Sequence, residues 1–192
     1  MPTPRKTHDV SQRGKCDRGS MAVEMALFLF FFSTLFLGTF EVPRYLLIGQ
    51  KMERASASMA DLVAQIDPAL GHEKAKIDDL FEAANGLMEP YDFATQGRVI
   101  ISSIANPTGD SEKIVWQIAS PGPFPGNSQI GTEGNAPTLP GGLVVREGEN
   151  IIAAEIIFNY EPLFGSMIYQ ERALYTRSFT RPRFTNLTDV PD

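Results

Sequence analysis

The chain has 192 residues, 43% of them apolar, and a formal net charge of −6. That balance leaves no basic face broad enough to displace the counterions of a nucleic acid, so no nucleic-acid partner is expected. The single cysteine, Cys16, excludes an internal disulfide and a cysteine-based zinc site, and the two histidines, His8 and His72, flank a long apolar run that keeps them from sharing a metal.

Residues 1–19 are polar and carry Arg5, Lys6, Arg13, Lys15 and Arg18 against Asp9 and Asp17. They are expected to form a disordered basic leader. From residue 20 to 40 Glu24 is the one charge, and Phe28, Phe30, Phe31, Phe32, Phe36 and Phe40 crowd the run. As a helix rising ~1.5 Å per residue it spans about 31 Å, close to the ~30 Å of a bilayer's hydrocarbon core. A transmembrane helix is therefore predicted over 20–42. The run exceeds a signal peptide's apolar region of roughly 7–15 residues and no small-x-small site closes it, which favours a retained anchor over a removed signal. The basic flank is expected on the cytoplasmic side. Residues 43–192 then lie across the membrane, and from residue 45 onward they hold eleven Lys and Arg against nineteen Asp and Glu.

Glu24 stands out. A carboxylate at the centre of a membrane helix costs about 2.5–3.5 kcal/mol, so it either snorkels to the interface as a tolerated acid or has a partner. Arg18-Gly19-Ser20, with Glu24 as the fifth residue counted from Ser20, resembles the processing signature of type IV pilin-like proteins. The resemblance implies cleavage by a prepilin peptidase between Gly19 and Ser20. It also implies that Glu24 is an assembly charge, pairing with the new α-amino group of a neighbouring subunit. Further on, Gly38, Glu41 and Arg44 recur three residues apart, which resembles the TadE-like branch of pseudopilins, proteins of the tight-adherence (Flp) pilus machinery. Glu41 and Arg44 share one helix face and can pair as the helix leaves the membrane. A plain interfacial anchor pair is the alternative reading. Pro43 predicts a kink near Phe40.

Ile48, Met52, Ala55, Met59, Leu62/Val63 and Ile66 recur at helical spacing, so one long helix is predicted from Ser20 to about Ile66, ending at Asp67-Pro68. The methionines read as core, not as a ligand box. A second helix is predicted over 73–88, with His72 at its start as a surface residue and Asp78, Asp79 and Glu82 on a solvated face. Strands are predicted over 99–104 and 114–118, forming a hairpin around Asn106-Pro107-Thr108-Gly109-Asp110 with Trp116 in the sheet. Residues 121–142 hold five prolines and six glycines and no phosphate-binding signature. Two readings of this long loop stand: a subunit-contact loop and a mobile surface loop.

The strand over 151–160 is expected to turn Ile152, Ala154, Ile156, Phe158 and Tyr160 to the core. Its other face, with Ala153, Glu155, Ile157 and Asn159, is expected to be a mixed surface. A last strand runs over 172–180. Tyr160-x-Pro162-Leu163 and Arg181-Pro182-Arg183 are similar to the C-terminal part of TadE-like proteins. The expected fold is α+β: a single N-terminal transmembrane helix extended into a long helix, then a helix and a small antiparallel sheet of about four strands. Three segments follow: leader 1–19, membrane helix 20–42 and a periplasmic domain 43–192.

The resemblance implies a minor pseudopilin of the bacterial inner membrane, single-pass with its N-terminus cytoplasmic. Its expected partners are the membrane, prepilin peptidase, other pilins or pseudopilins and tight-adherence machinery proteins. No cofactor, metal or catalytic residue is expected. Asn186-Leu187-Thr188 fits a glycosylation sequon without meaning in that setting. The alternative is an uncleaved single-pass protein with a periplasmic protein-binding domain, contacting its partner through Arg181, Arg183 and the 121–142 loop. An enzyme is disfavoured, since no Gly-x-Ser-x-Gly frames a nucleophile.

Overall fold

The computed structural model describes residues 13–71, 73–163, 172–184, 186–189 and 191, with residues 13–18 and 73 described by their backbone alone. His8, His72 and most of the leader, 1–12, lie outside the described residues. The chain divides into two units, one ending at Pro43 and one beginning at Arg44.

Helix α1 runs Arg13–Val63. Residues 13–19 thus belong to the helix and are not the irregular leader that their polarity suggested. Arg13, Lys15 and Arg18 have high helix propensity, and a helix already nucleated by the apolar run extends at little cost. Three hydroxyls of the first unit bond back to the helix's own backbone, as an apolar surrounding would demand. Ser33 and Thr34 donate their hydroxyls to the Phe30 carbonyl, at 2.9 and 3.0 Å, and Thr39 donates to that of Leu35 at 3.0 Å. Phe28 stacks on Phe32, and Phe36 meets Phe40 edge to face. The helix continues through Pro43. The stretch from Gly19 is long and apolar enough to cross a membrane, and the side chains of its apolar window are exposed.

In the second unit α1 is followed by a single 3-10 turn, Pro68–Leu70, whose first amide is capped by Asp67. Helix α2 covers Glu73–Met88, as its spacing predicts, and a one-turn helix, α3, covers Phe93–Gln96. Four strands follow: β1 Gly97–Ala105, β2 Lys113–Ala119, β3 Asn150–Tyr160 and β4 Arg172–Thr180. They form one antiparallel sheet in the order β2-β1-β3-β4. Gly97 is required where α3 turns into β1: a Cβ there would lie 2.2 Å from the Phe93 ring.

One face of the sheet carries the main core. Val99, Ile101, Trp116, Ile152, Ala154, Ile156, Phe158 and Tyr160 pack with the stripe Ile48, Met52, Ala55, Met59, Val63 and Ile66 and with Ile77, Phe81, Ala84 and Met88 of α2. Of the ambiguous pair at 62 and 63, Val63 is buried and Leu62 is 41% exposed. Burial of each of the valine, isoleucine, methionine and phenylalanine side chains contributes about 1.5–3 kcal/mol, which is what holds α1 and α2 in helical form here.

The opposite face is the main departure from expectation. It is buried too: Ala153, Glu155 and Ile157 of β3 are all inaccessible or nearly so. The segment 120–149, without a helix or strand of its own, lies over it like a strap. Ile130 and Val145 from the strap join Ile104, Ile114, Ile151 and Ala153 in a second, smaller core, flanked by Leu139, Leu143 and Phe179. The Pro/Gly-rich loop is thus a packed layer of the domain. Proline and glycine suit that role, because proline has no amide to satisfy and glycine takes the positive φ that an irregular path needs, as at Gly131 and Gly134.

Candidate functional site

Gly19 and Ser20 lie in the first turns of the exposed part of α1, and both are exposed. A Cβ placed on Gly19 meets nothing within 4 Å, so neither packing nor backbone geometry calls for glycine there. Glu24 follows Ser20 by one helical turn, on the same face. Its side chain is exposed among Met21, Val23, Met25, Leu27 and Phe28, all more than half exposed. Among the described residues Glu24 has no hydrogen bond or ion pair. The geometry is therefore a lone carboxylate on an apolar helix surface, beside a backbone position that has no structural need of its glycine.

Glu41 and Arg44 fall on either side of the boundary between the two units. Arg44 belongs to the second. Its Nη1 donates to the Glu161 carbonyl at 2.8 Å, and its guanidinium lies 5.5 Å from the Tyr160 ring centre and 5.9 Å from that of Tyr91. A planar cation over two aromatic faces is held by the ring quadrupoles as well as by its hydrogen bond. Tyr45 closes the group, edge-on to Tyr160 at 5.4 Å. Glu41 is buried, 7% exposed.

Sequence reasoning missed a cluster around Glu155. This carboxylate is fully buried on β3. Ser128 donates its hydroxyl to Oε2 at 2.5 Å, and Tyr175 donates its own to Oε1 at 2.7 Å. The backbone amides of Gln129 and Ile130 donate to Oε1 at 2.8 and 3.3 Å. Ser128 Oγ in turn accepts from the amides of Ile130 and Gly131. Burial, and then the hydrogen bond to Glu155, push the Tyr175 phenol above its ordinary value. The signal that could have found the cluster is one acid inside the apolar strand Ile151-Ile152-Ala153-Ala154-Glu155-Ile156-Ile157. What it lacked was any indication that the strap supplies the donors.

The C-terminal segment is tied down. Trp116 Nε1 donates to the Leu187 carbonyl at 2.9 Å, Ser103 donates to the same oxygen at 2.5 Å, and Asn150 Oδ1 accepts from the Leu187 amide at 3.1 Å. Arg181 pairs with Glu149 at 3.1 Å and Arg183 pairs with Asp61. The two arginines expected to face a partner are thus engaged within the chain, and the sequon residue Asn186 donates to the Gly148 carbonyl. Comparison with family models, with curated proteins and with solved structures finds no match.

Proposed function

We propose that this chain is a minor pseudopilin of the TadE-like kind, cut by a prepilin peptidase between Gly19 and Ser20 and needed for assembly of tight-adherence (Flp) pili. In this reading α1 crosses the bacterial inner membrane once, with the basic N-terminal flank in the cytoplasm and the second unit in the periplasm. The function is assembly: it asks for no catalysis and no cofactor. Its partners are the peptidase, other pilins or pseudopilins and machinery proteins of the same system.

The observation that carries the proposal is Glu24. Its side chain is exposed on an apolar helix, one turn after the residue that cleavage would make the new N-terminus, and it has no partner among the described residues. An unpaired carboxylate in hydrocarbon is costly. A neighbouring subunit's α-ammonium would neutralise it and set the register between two helices, the use of buried charge that is best supported. The exposed phenylalanine-rich surface of α1 gives those helices something to pack with.

Mass spectrometry of the N-terminus of protein taken from membranes tests the cut. The mature chain should begin at Ser20, and Gly19→Ala should leave residues 1–19 attached while the head folds normally. A wild-type chain that begins ahead of Ser20 would overturn the reading in favour of an uncleaved anchor. Glu24→Ala should keep membrane insertion and processing but abolish piliation; piliated cells carrying it would remove the pairing mechanism.

A further inference from the structure

We propose that the strap, residues 120–149, is a separately openable cover on the sheet, and that Glu155 is the catch that holds it closed. The strap is fastened at both ends by bonds to strand and loop backbone. Ser120 exchanges two bonds with Val99, and Asn106 holds the far end through the Val145 carbonyl at 3.0 Å and the Gly148 amide at 2.8 Å. Between those ends the strap lies on β2 and β3. Over β2, the Ile114 amide donates to the Asn135 carbonyl at 3.0 Å and the Gly134 amide donates to the Ile114 carbonyl at 2.8 Å. Gln117 Nε2 donates to the Gly131 carbonyl at 3.2 Å. These bonds close part of the outer edge of β2.

Over β3, Glu155 gathers three donors from one short stretch of the strap: the Ser128 hydroxyl and the amides of Gln129 and Ile130. Tyr175 of β4 is its fourth donor. Arg177, its cross-strand neighbour, turns its Nη1 to the Thr138 carbonyl of the strap. A charged acceptor makes stronger bonds than a neutral one, and donors buried without it would be left unsatisfied. Two further bonds hold the strap, from the Val145 amide to Glu112 Oε1 at 3.0 Å and from Arg98 Nη1 to the Phe124 carbonyl at 3.3 Å. Its apolar hold is small: Ile130 and Val145 are its two fully buried aliphatic side chains, with Leu139 and Leu143 partly buried, against the six-residue stripe that α1 commits to the other face. Elements with few buried apolar contacts open at lower free energy than the core they cover. With the catch removed, the strap should lift as a unit, uncovering the β2 edge and the second face, while the helices and the main core stay folded.

Hydrogen exchange of the full chain in detergent micelles, followed by peptide mass, tests this. Glu155→Leu keeps an apolar side chain of similar size and removes both acceptor oxygens. Peptides within 128–148 should exchange roughly tenfold faster or more, with those of α2 and β1 unchanged. Unchanged exchange in the strap, or acceleration spread over α2 and β1 as well, would overturn the proposal. Glu155→Gln keeps the shape and one acceptor oxygen while removing the charge, touches no bond made within the strap, and decides the matter should the leucine variant not fold. A smaller acceleration confined to the strap supports the catch, and either no acceleration or a domain-wide one refutes it.

Discussion

Tyr175 shows how one buried acid governs its neighbours. Burial, and then the hydrogen bond that the phenol donates to the Glu155 carboxylate, make the neutral form the one the fold favours. Its folded pKa is therefore raised above the ordinary value of about 10. The stability this contributes is complete below that pH and drains away as the pH rises past it, because the unfolded chain ionises first. On going from about pH 9 to about pH 11, thermal unfolding of the wild type should drop further than that of Tyr175→Phe. At neutral pH the same substitution should cost ~1–3 kcal/mol, since Glu155 then loses a donor while remaining buried. Equal alkaline losses in the two chains would mean that the phenol ionises as freely in the fold as out of it. Glu155 was not legible in advance: one acid in an otherwise apolar strand does not say what pairs with it, and the groups that do come from up to 27 residues away.

At the scale of elements, periodicity carried most of the fold. The stripe on α1, the bounds of α2 and all four strands follow from spacing and turn residues, because each of these segments buries one face at a regular interval. Met59 and Leu62 test the stripe directly, since they sit three positions apart on the same helix and differ in burial, 0% against 41% exposed. Met59→Ala should cost about 2–5 kcal/mol in denaturant unfolding. Leu62→Ala should cost well under half as much, and equal costs would displace the core face of α1. The strap escaped the same logic. It has no period, and its apolar anchors, Ile130, Leu139, Leu143 and Val145, are scattered among prolines and glycines. Periodicity detects surfaces that repeat; an irregular layer that fits one particular sheet leaves no such trace. The helical start at Arg13 was missed for a different reason, as polar residues in solvent are carried into a helix by the run that follows them.

For the molecule as a whole, the division at Pro43 separates a segment whose apolar side chains are exposed from one that buries its own core. Residues 44–192 alone should therefore leave the membrane fraction and still unfold cooperatively, because the buried stripe of α1 begins at Ile48. Circular dichroism of that fragment during heating checks this, and a broad, non-cooperative loss of signal would count against it. The asymmetry of the sheet has a consequence for how such molecules meet. The strap occupies part of the rim of β2, whereas β4, at the other end of the strand order, has no strand beyond it among the described residues. With its strap closed, the sheet has one rim that is partly covered and one that no further strand continues among the described residues. Objects with one sticky rim can join in pairs and then stop; growth into a ribbon needs two. On the assembly role proposed above, a domain held among copies of itself gains from an interrupted rim, because a covered edge resists sheet-to-sheet growth.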